Sequence, residues 1–81
     1  MYFPETFTFG VATAAFQIEG SPLADGASRS IWYDFSHKRG KIEGGNDADI
    51  ACDHYNRYEE DVENLSRLGV HAYRFSISWP R

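Results

Sequence analysis

The sequence predicts an α/β fold organised as one β-α-β unit, and three stretches carry this prediction. Thr8–Thr13 and Val70–Arg81 alternate bulky side chains with small or polar ones, a pattern typical of strands. Between them, His54–Leu68 repeats apolar residues every three or four positions, which is typical of an amphipathic helix. Because a long crossover joins the two strands, we expect them to pair in parallel with a right-handed connection.

The first strand, Thr8–Thr13, continues into a segment of unusually small side chains. Four positions carry only a hydrogen atom or a methyl group: Gly10, Ala12, Ala14 and Ala15. Such residues indicate that other groups approach the backbone closely. A single helical turn is expected at Ala14–Ile18, followed by a loop over Glu19–Ser30 that is rich in turn-forming residues. Ser30 can then cap a short helix at Ile31–His37.

The strongest helix prediction is His54–Leu68. It follows a second loop, which is rich in glycine from Gly40 to Gly45 and runs up to this helix. Its apolar stripe consists of Tyr58, Val62, Leu65 and Leu68. Two beginnings are possible, a capping box formed by Asn56 and Glu59 or a cap supplied by Asp53. Gly69 suits the end of the helix, where a left-handed backbone conformation is common.

The last stretch, Val70–Arg81, predicts a strand with two different faces. One face carries the bulky side chains Tyr73, Phe75, Ile77 and Trp79. The other face carries Arg74 between small residues, which suits a barrel strand whose inner face is polar. Burying an unpaired guanidinium is costly, so we expect Arg74 to have an anionic partner outside this sequence. Pro80 is expected to end the strand.

Composition bounds the class of protein. With only one cysteine, this 81-residue chain cannot form an internal disulfide. Its 16% aromatic residues are many for so small a domain, so it is expected to be part of a larger core. The net charge of −4 argues against nucleic acid or an anionic membrane as a partner. No apolar run approaches the ~20 residues of a membrane helix, and no signal peptide is evident. A cytoplasmic location is therefore expected.

The run FTFGVATAAFQIEGS at residues 7–21 resembles the N-terminal signature of family 1 glycoside hydrolases, the β-glucosidase and 6-phospho-β-glucosidase family. Further segments are similar to the same family in the same order. They are Ser30–Trp32, Ala51–Tyr55 with Arg57, and Tyr73–Arg81. The resemblance extends over nearly the whole chain, from Phe3 to Arg81.

The resemblance implies that residues 1–81 are the N-terminal β-α-β portion of a single TIM (β/α)8 barrel domain: first strand, crossover, first helix and second strand. It implies that Gln17 hydrogen-bonds hydroxyls of the non-reducing sugar, because a side-chain amide both donates and accepts. It also implies that Arg74 lies beside the nucleophilic glutamate and keeps that carboxylate ionised. A glutamate at position 19 is expected to be structural.

The resemblance places no catalytic residue in this chain. Retaining glycosidases need two carboxylates about 5–5.5 Å apart, and the family carries them in Asn-Glu-Pro and Glu-Asn-Gly motifs that are absent here. No cofactor and no metal ligand are expected. Cys52, Asp53 and His54 are adjacent and would point in different directions on a helix. His37 and His71 are interpreted as isolated, exposed residues.

Three functions follow as hypotheses. The first is that the chain is part of a retaining β-glucosidase that hydrolyses β-D-glucosides, whose partners are the substrate and the remainder of the barrel. The alternative is a non-catalytic structural or complementation fragment of the barrel. The third is an autonomous sugar-binding module, ranked last because two strands and a helix bury little apolar area.

Overall fold

A computed structural model describes residues 2–81 as a parallel strand pair with a helical crossover. Its elements are β1 (Gly10–Thr13), α1 (Ala15–Ile18), α2 (Ile31–Ser36), α3 (His54–Leu68) and β2 (Ala72–Phe75). The strands are in register from the pair Gly10–Ala72 to the pair Thr13–Phe75. The predicted α/β class, element order and parallel pairing are confirmed.

Both strands are shorter than the sequence predicts, because side chains replace backbone partners at their ends. Before β1, the backbone N–H of Phe9 faces Nδ1 of His71 at 3.4 Å, and the Phe9 carbonyl accepts from the His71 backbone N–H at 2.8 Å. After β2, the hydroxyl of Ser76 accepts from the backbone N–H of Ala15 at 2.7 Å. The β-ladder is therefore limited to four residue pairs. The expectation that His71 is isolated is wrong, because its ring and its backbone N–H both contact Phe9.

The predicted bounds of α3 are confirmed, whereas its predicted capping box is wrong. Asn56 lies inside the helix, and Asp53 occupies the N-cap position with a left-handed backbone (φ 56°) and no capping hydrogen bond from its side chain. Its carboxylate accepts instead from the Asn56 side-chain amide at 2.8 Å. Gly69 ends the helix at φ 69°, and the Ser30 hydroxyl caps α2 by accepting from the Tyr33 N–H, both as predicted.

The two faces of the strand pair have different surroundings. Side chains of β1 and β2 on one face approach α3, and the hydroxyls of Thr13 and Tyr73 lie 2.6 Å apart there. Thr13 and Tyr73 also line a groove of about 230 Å³ together with Leu65 of α3. By the alternation of strand side chains, Arg74 and its register partner Ala12 belong to the opposite face.

Little of the apolar surface of residues 2–81 is buried. Ala15, which is 6% exposed, is the only hydrophobic side chain of the described residues classed as buried. The apolar side chains that follow β2 are exposed to solvent, Ile77 to 81% and Trp79 to 95%. The α3 stripe shares this exposure, since Leu68 is 68% exposed. Among the described residues, no helix has the length and apolarity needed to cross a membrane.

Candidate functional site

Gln17 lies on α1, immediately beyond the carboxyl end of β1. Its side chain is exposed, and among residues 2–81 no hydrogen bond engages its amide. The short helix beneath it is nevertheless anchored, because the Ala15 N–H donates to the Ser76 hydroxyl at 2.7 Å. A free amide on an anchored turn can donate to one group and accept from another at the same time.

Arg74 lies on β2, one residue before the end of the strand, opposite Ala12. It is exposed, and it forms no ion pair with any carboxylate of residues 2–81. The expectation that its anionic partner lies elsewhere stays a prediction. Because β1 and β2 are parallel and end at the paired residues Thr13 and Phe75, Gln17 and Arg74 share one edge of the sheet.

A second polar cluster ties the segments that follow the two strands. The Arg81 guanidinium donates through Nε to the Glu19 carboxylate at 3.0 Å, and through Nη1 and Nη2 to the carbonyls of Ser21 and Gly20 at 3.3 Å each. The same guanidinium lies 4.4 Å from the centre of the Tyr55 ring. The Glu19 and Arg81 side chains are only 20% and 23% exposed. Glu19 is thus committed to an ion pair, which agrees with its predicted structural role.

Arg81 was not predicted from the sequence, because its equivalence to Glu19 appears only once the register of the two strands is known. Glu19 lies six residues after Thr13, and Arg81 lies six residues after Phe75, the register partner of Thr13. Opposite charges at equal distances beyond paired parallel strands are candidates for contact, because the carboxyl ends of such strands lie at the same edge.

His37 joins a third polar cluster, contrary to the expectation that it is isolated. Its Nδ1 lies 2.7 Å from the Tyr33 carbonyl oxygen, and its Nε2 lies 2.9 Å from Asp49 and 3.7 Å from Asp47. A neutral imidazole has a single N–H, so two acceptors on opposite nitrogens favour the doubly protonated ring. The hydrogen bond to Asp49, followed by that to Tyr33, raises the pKa of His37 above 6.5.

The same three side chains place one possible metal-ligand atom each within 4.8 Å of one another: His37, Asp47 and Asp49. A protonated ring nitrogen has no lone pair for a metal ion. The ion pair accounts for this arrangement without a metal. The two carboxylates also lie in the second loop rather than at the strand ends, where barrel enzymes place their chemistry.

The ion pair predicts a pH-dependent contact between α2 and the second loop. Because the pKa of His37 is raised above 6.5, the contact stabilises the fold fully below pH 6.5 and is lost as the pH rises through the raised value. We expect Asp49→Asn to lower the pKa of His37 towards 6.5. NMR titration of the His37 ring resonances measures this change. Asp25→Asn, which changes an exposed carboxylate elsewhere, is the control. An unchanged titration in Asp49→Asn would contradict the ion pair.

These features define a class of protein. The chain is a parallel β-α-β unit. Near the carboxyl ends of its strands lie the Gln17 amide and the Arg74 guanidinium, which have no hydrogen-bond or ion-pair partner among residues 2–81, and the ion pair between Glu19 and Arg81. Open α/β sheets and (β/α)8 barrels build their ligand sites at that edge.

Comparison with known proteins identifies the family. The sequence model of glycosyl hydrolase family 1 matches residues 1–81, so the chain belongs to this family. It is 66% identical over 79 residues to Beta-glucosidase A of Thermotoga maritima and 58% identical over 79 residues to a Beta-glucosidase of Agrobacterium sp.. These matches cover 98% of this chain, but only 18% and 17% of the two relatives.

Solved structures agree with the sequence comparison. The family 1 β-glucosidase from Thermotoga maritima superimposes with a TM-score of 0.92 at 66% identity, over 98% of this chain and 18% of that one. A structure of the Thermotoga maritima enzyme in complex with glucoimidazole gives a TM-score of 0.91. The chain therefore spans less than a fifth of the length of the relatives that it matches.

Proposed function

We propose that residues 1–81 supply the N-terminal β-α-β portion of a TIM-barrel β-glucosidase, which hydrolyses β-D-glucosides with retention. The observation that carries the proposal is the Gln17 amide, which has no hydrogen-bond partner among residues 2–81. It lies at the carboxyl edge of a parallel strand pair whose second strand carries Arg74. In a (β/α)8 barrel this edge is the active-site face. The family membership adds the reaction class.

Gln17 is assigned to the binding of the non-reducing sugar. Adjacent sugar hydroxyls each present a donor and an acceptor, and a carboxamide offers both at a fixed spacing. Among the described residues nothing competes for this amide. An unengaged amide on an anchored turn gains its hydrogen bonds on binding substrate without first breaking others.

Arg74 is assigned to the support of the nucleophile, and the two catalytic glutamates are assigned to the part of the barrel outside residues 1–81. Two carboxylates near the strand pair already have partners: Glu19 pairs with Arg81, and Asp61 lies 2.7 Å from Nδ1 of His54. The reaction would proceed through a glycosyl-enzyme intermediate, with this chain binding the sugar and tuning the nucleophile.

The test uses a chimera in which this chain replaces the matching stretch of the Thermotoga maritima enzyme, because the chemistry needs a whole barrel. We expect Gln17→Ala to lower kcat/KM for an aryl β-glucoside about tenfold to a hundredfold, since two hydrogen bonds to neutral hydroxyls are worth about 1–3 kcal/mol together. Asn46→Ala removes an exposed amide from the second loop and serves as the matched control. Equal activity of the parent chimera and Gln17→Ala would overturn the binding role.

The alternative, a non-catalytic structural or complementation fragment, is favoured by one observation. Apolar side chains such as Ile31, Ile77 and Trp79 are at least 80% exposed. Residues 2–81 therefore expose apolar surface of the kind that normally packs against another part of a protein. A folded chimera without glycosidase activity would support the structural reading. Activity restored by adding the separate 81-residue chain to a Thermotoga enzyme that lacks the matching stretch would support complementation.

A further inference from the structure

The turn that carries Gln17 is tied to the chain beyond β2 on both sides. On the N-terminal side, the Ala15 N–H donates to the Ser76 hydroxyl at 2.7 Å. On the C-terminal side, Glu19, which follows the last residue of α1, pairs with Arg81 at 3.0 Å. Gln17 thus lies midway between two ties that both run to the residues after β2.

The tie on the C-terminal side is the more elaborate one. Arg81 donates to the Glu19 carboxylate and also to the carbonyls of Gly20 and Ser21. Gly20 and Ser21 both have left-handed backbones, with φ of 67° and 43°. Gly20 tolerates this conformation, but Ser21 carries a side chain and its left-handed backbone is unfavourable, so hydrogen bonds to the reversal help to hold it. A planar guanidinium with five donors can reach three acceptors that a single ammonium would serve poorly.

We propose that Arg81 is a positioning residue for Gln17, acting through Glu19 and the Gly20–Ser21 reversal; this rests on the proposed function of Gln17. Arg81 touches no substrate in this assignment. It fixes the direction in which α1 leaves the strand end, and therefore where the Gln17 amide stands relative to the sugar. Tyr55 supports the arrangement, since its ring lies 4.4 Å from the guanidinium and its N–H donates to the Glu19 carbonyl at 2.9 Å.

The experiment is a double-mutant cycle between Arg81→Met and Gln17→Ala in the chimera, assayed with an aryl β-glucoside. Methionine keeps an apolar stem and removes all three hydrogen bonds. We expect Arg81→Met alone to lower kcat/KM about tenfold, because a small misplacement of a positioning group is costly. In the Gln17→Ala background the same substitution is expected to cost less than about twofold, because the group that it positions is already gone.

Two results would separate the proposals from each other. If Gln17→Ala leaves kcat/KM unchanged, the proposed function of Gln17 fails, and the positioning role fails with it. If Gln17→Ala lowers kcat/KM but Arg81→Met costs the same factor in both backgrounds, the binding role stands and the positioning role is overturned. A merely structural Arg81 would give this second, additive result.

A gentler variant covers the case in which the Arg81→Met chimera does not fold. Glu19→Gln keeps the side-chain shape and leaves the two carbonyl bonds of Arg81 in place. The same cycle with Gln17→Ala is expected to be non-additive, and additivity would again overturn the proposal. Arg81→Lys, which retains the charge but not the three-way geometry, is expected to recover part of the loss seen in Arg81→Met.

Discussion

Replacing Arg74 by methionine in the chimera is expected to lower kcat/KM for an aryl β-glucoside about a hundredfold or more. A guanidinium within ~4–6 Å of a carboxylate lowers the pKa of that carboxylate by about 1–3 units. If Arg74 has the proposed role, its removal raises the pKa of the nucleophile and withdraws a charge that is in place before the reaction begins, which typically costs about 10²–10³ in rate. The acidic limb of the pH profile of kcat/KM should therefore move to higher pH by about one unit.

Controls separate this effect from a loss of structure. Arg67 on α3 is a matched arginine, 73% exposed and paired with Glu63 at 2.7 Å, so Arg67→Met should leave kcat/KM within about twofold. Arg74→Lys keeps the charge and loses the planar fork, so an intermediate rate and a smaller pH shift are expected. Parent-like activity with an unshifted pH profile in Arg74→Met would contradict the assignment.

The fold was predictable where a pattern is local and repeated. The stripe of α3 and the glycine after it fix the helix to its observed bounds, His54–Leu68. The order of strand, crossover and strand predicts the parallel pair, because chirality and chain length leave few alternatives. The strand ends were not predictable in this way, since they depend on His71 and Ser76 bonding to residues about sixty positions away.

The beginning of α3 illustrates a different reason for failure. The chain approaches it through Ala51 and Asp53, both with left-handed backbones although neither is glycine. Sequence patterns assign such conformations to glycine or asparagine, so the capping box at Asn56 was the more natural prediction. The Asn56 side chain bonds to the nearby Asp53 rather than capping the helix, and a contact distant in sequence holds the same end, since the Tyr55 N–H donates to the Glu19 carbonyl at 2.9 Å.

The candidate site, like the fold, was predictable from the sequence only in part. Gln17 was found through the resemblance to a family signature, whereas the alternation of its strand had already singled out Arg74; the roles of both are proposals. Arg81 and its partner Glu19 are 62 positions apart, and His37 and Asp49 are 12 apart. Single charges at such separations carry no periodic signal. Only the register of β1 against β2 shows that Glu19 and Arg81 occupy equivalent places.

Gly20→Ala is expected to destabilise the chimera by about 2–5 kcal/mol. A Cβ at this position would lie 2.3 Å from the Ile50 carbonyl oxygen and 2.9 Å from the Ile50 carbonyl carbon, both backbone atoms that cannot rotate away. The left-handed φ of 67° adds about 1–2 kcal/mol for a residue with a side chain, and overpacking adds about 1–3 kcal/mol. The measurement is the free energy of unfolding in urea.

Gly26→Ala isolates the steric part of this cost. Gly26 also has a left-handed backbone (φ 82°), but a Cβ there would meet no atom of residues 2–81 within 4 Å. Its substitution should therefore cost only the conformational penalty, and the difference between the two variants measures the contact with Ile50. A Gly20→Ala chimera that does not fold beside a folded Gly26→Ala chimera would agree with the same argument. Equal free energies of unfolding would show instead that the second loop moves aside, and that the reversal after α1 is not fixed by its contact with Ile50.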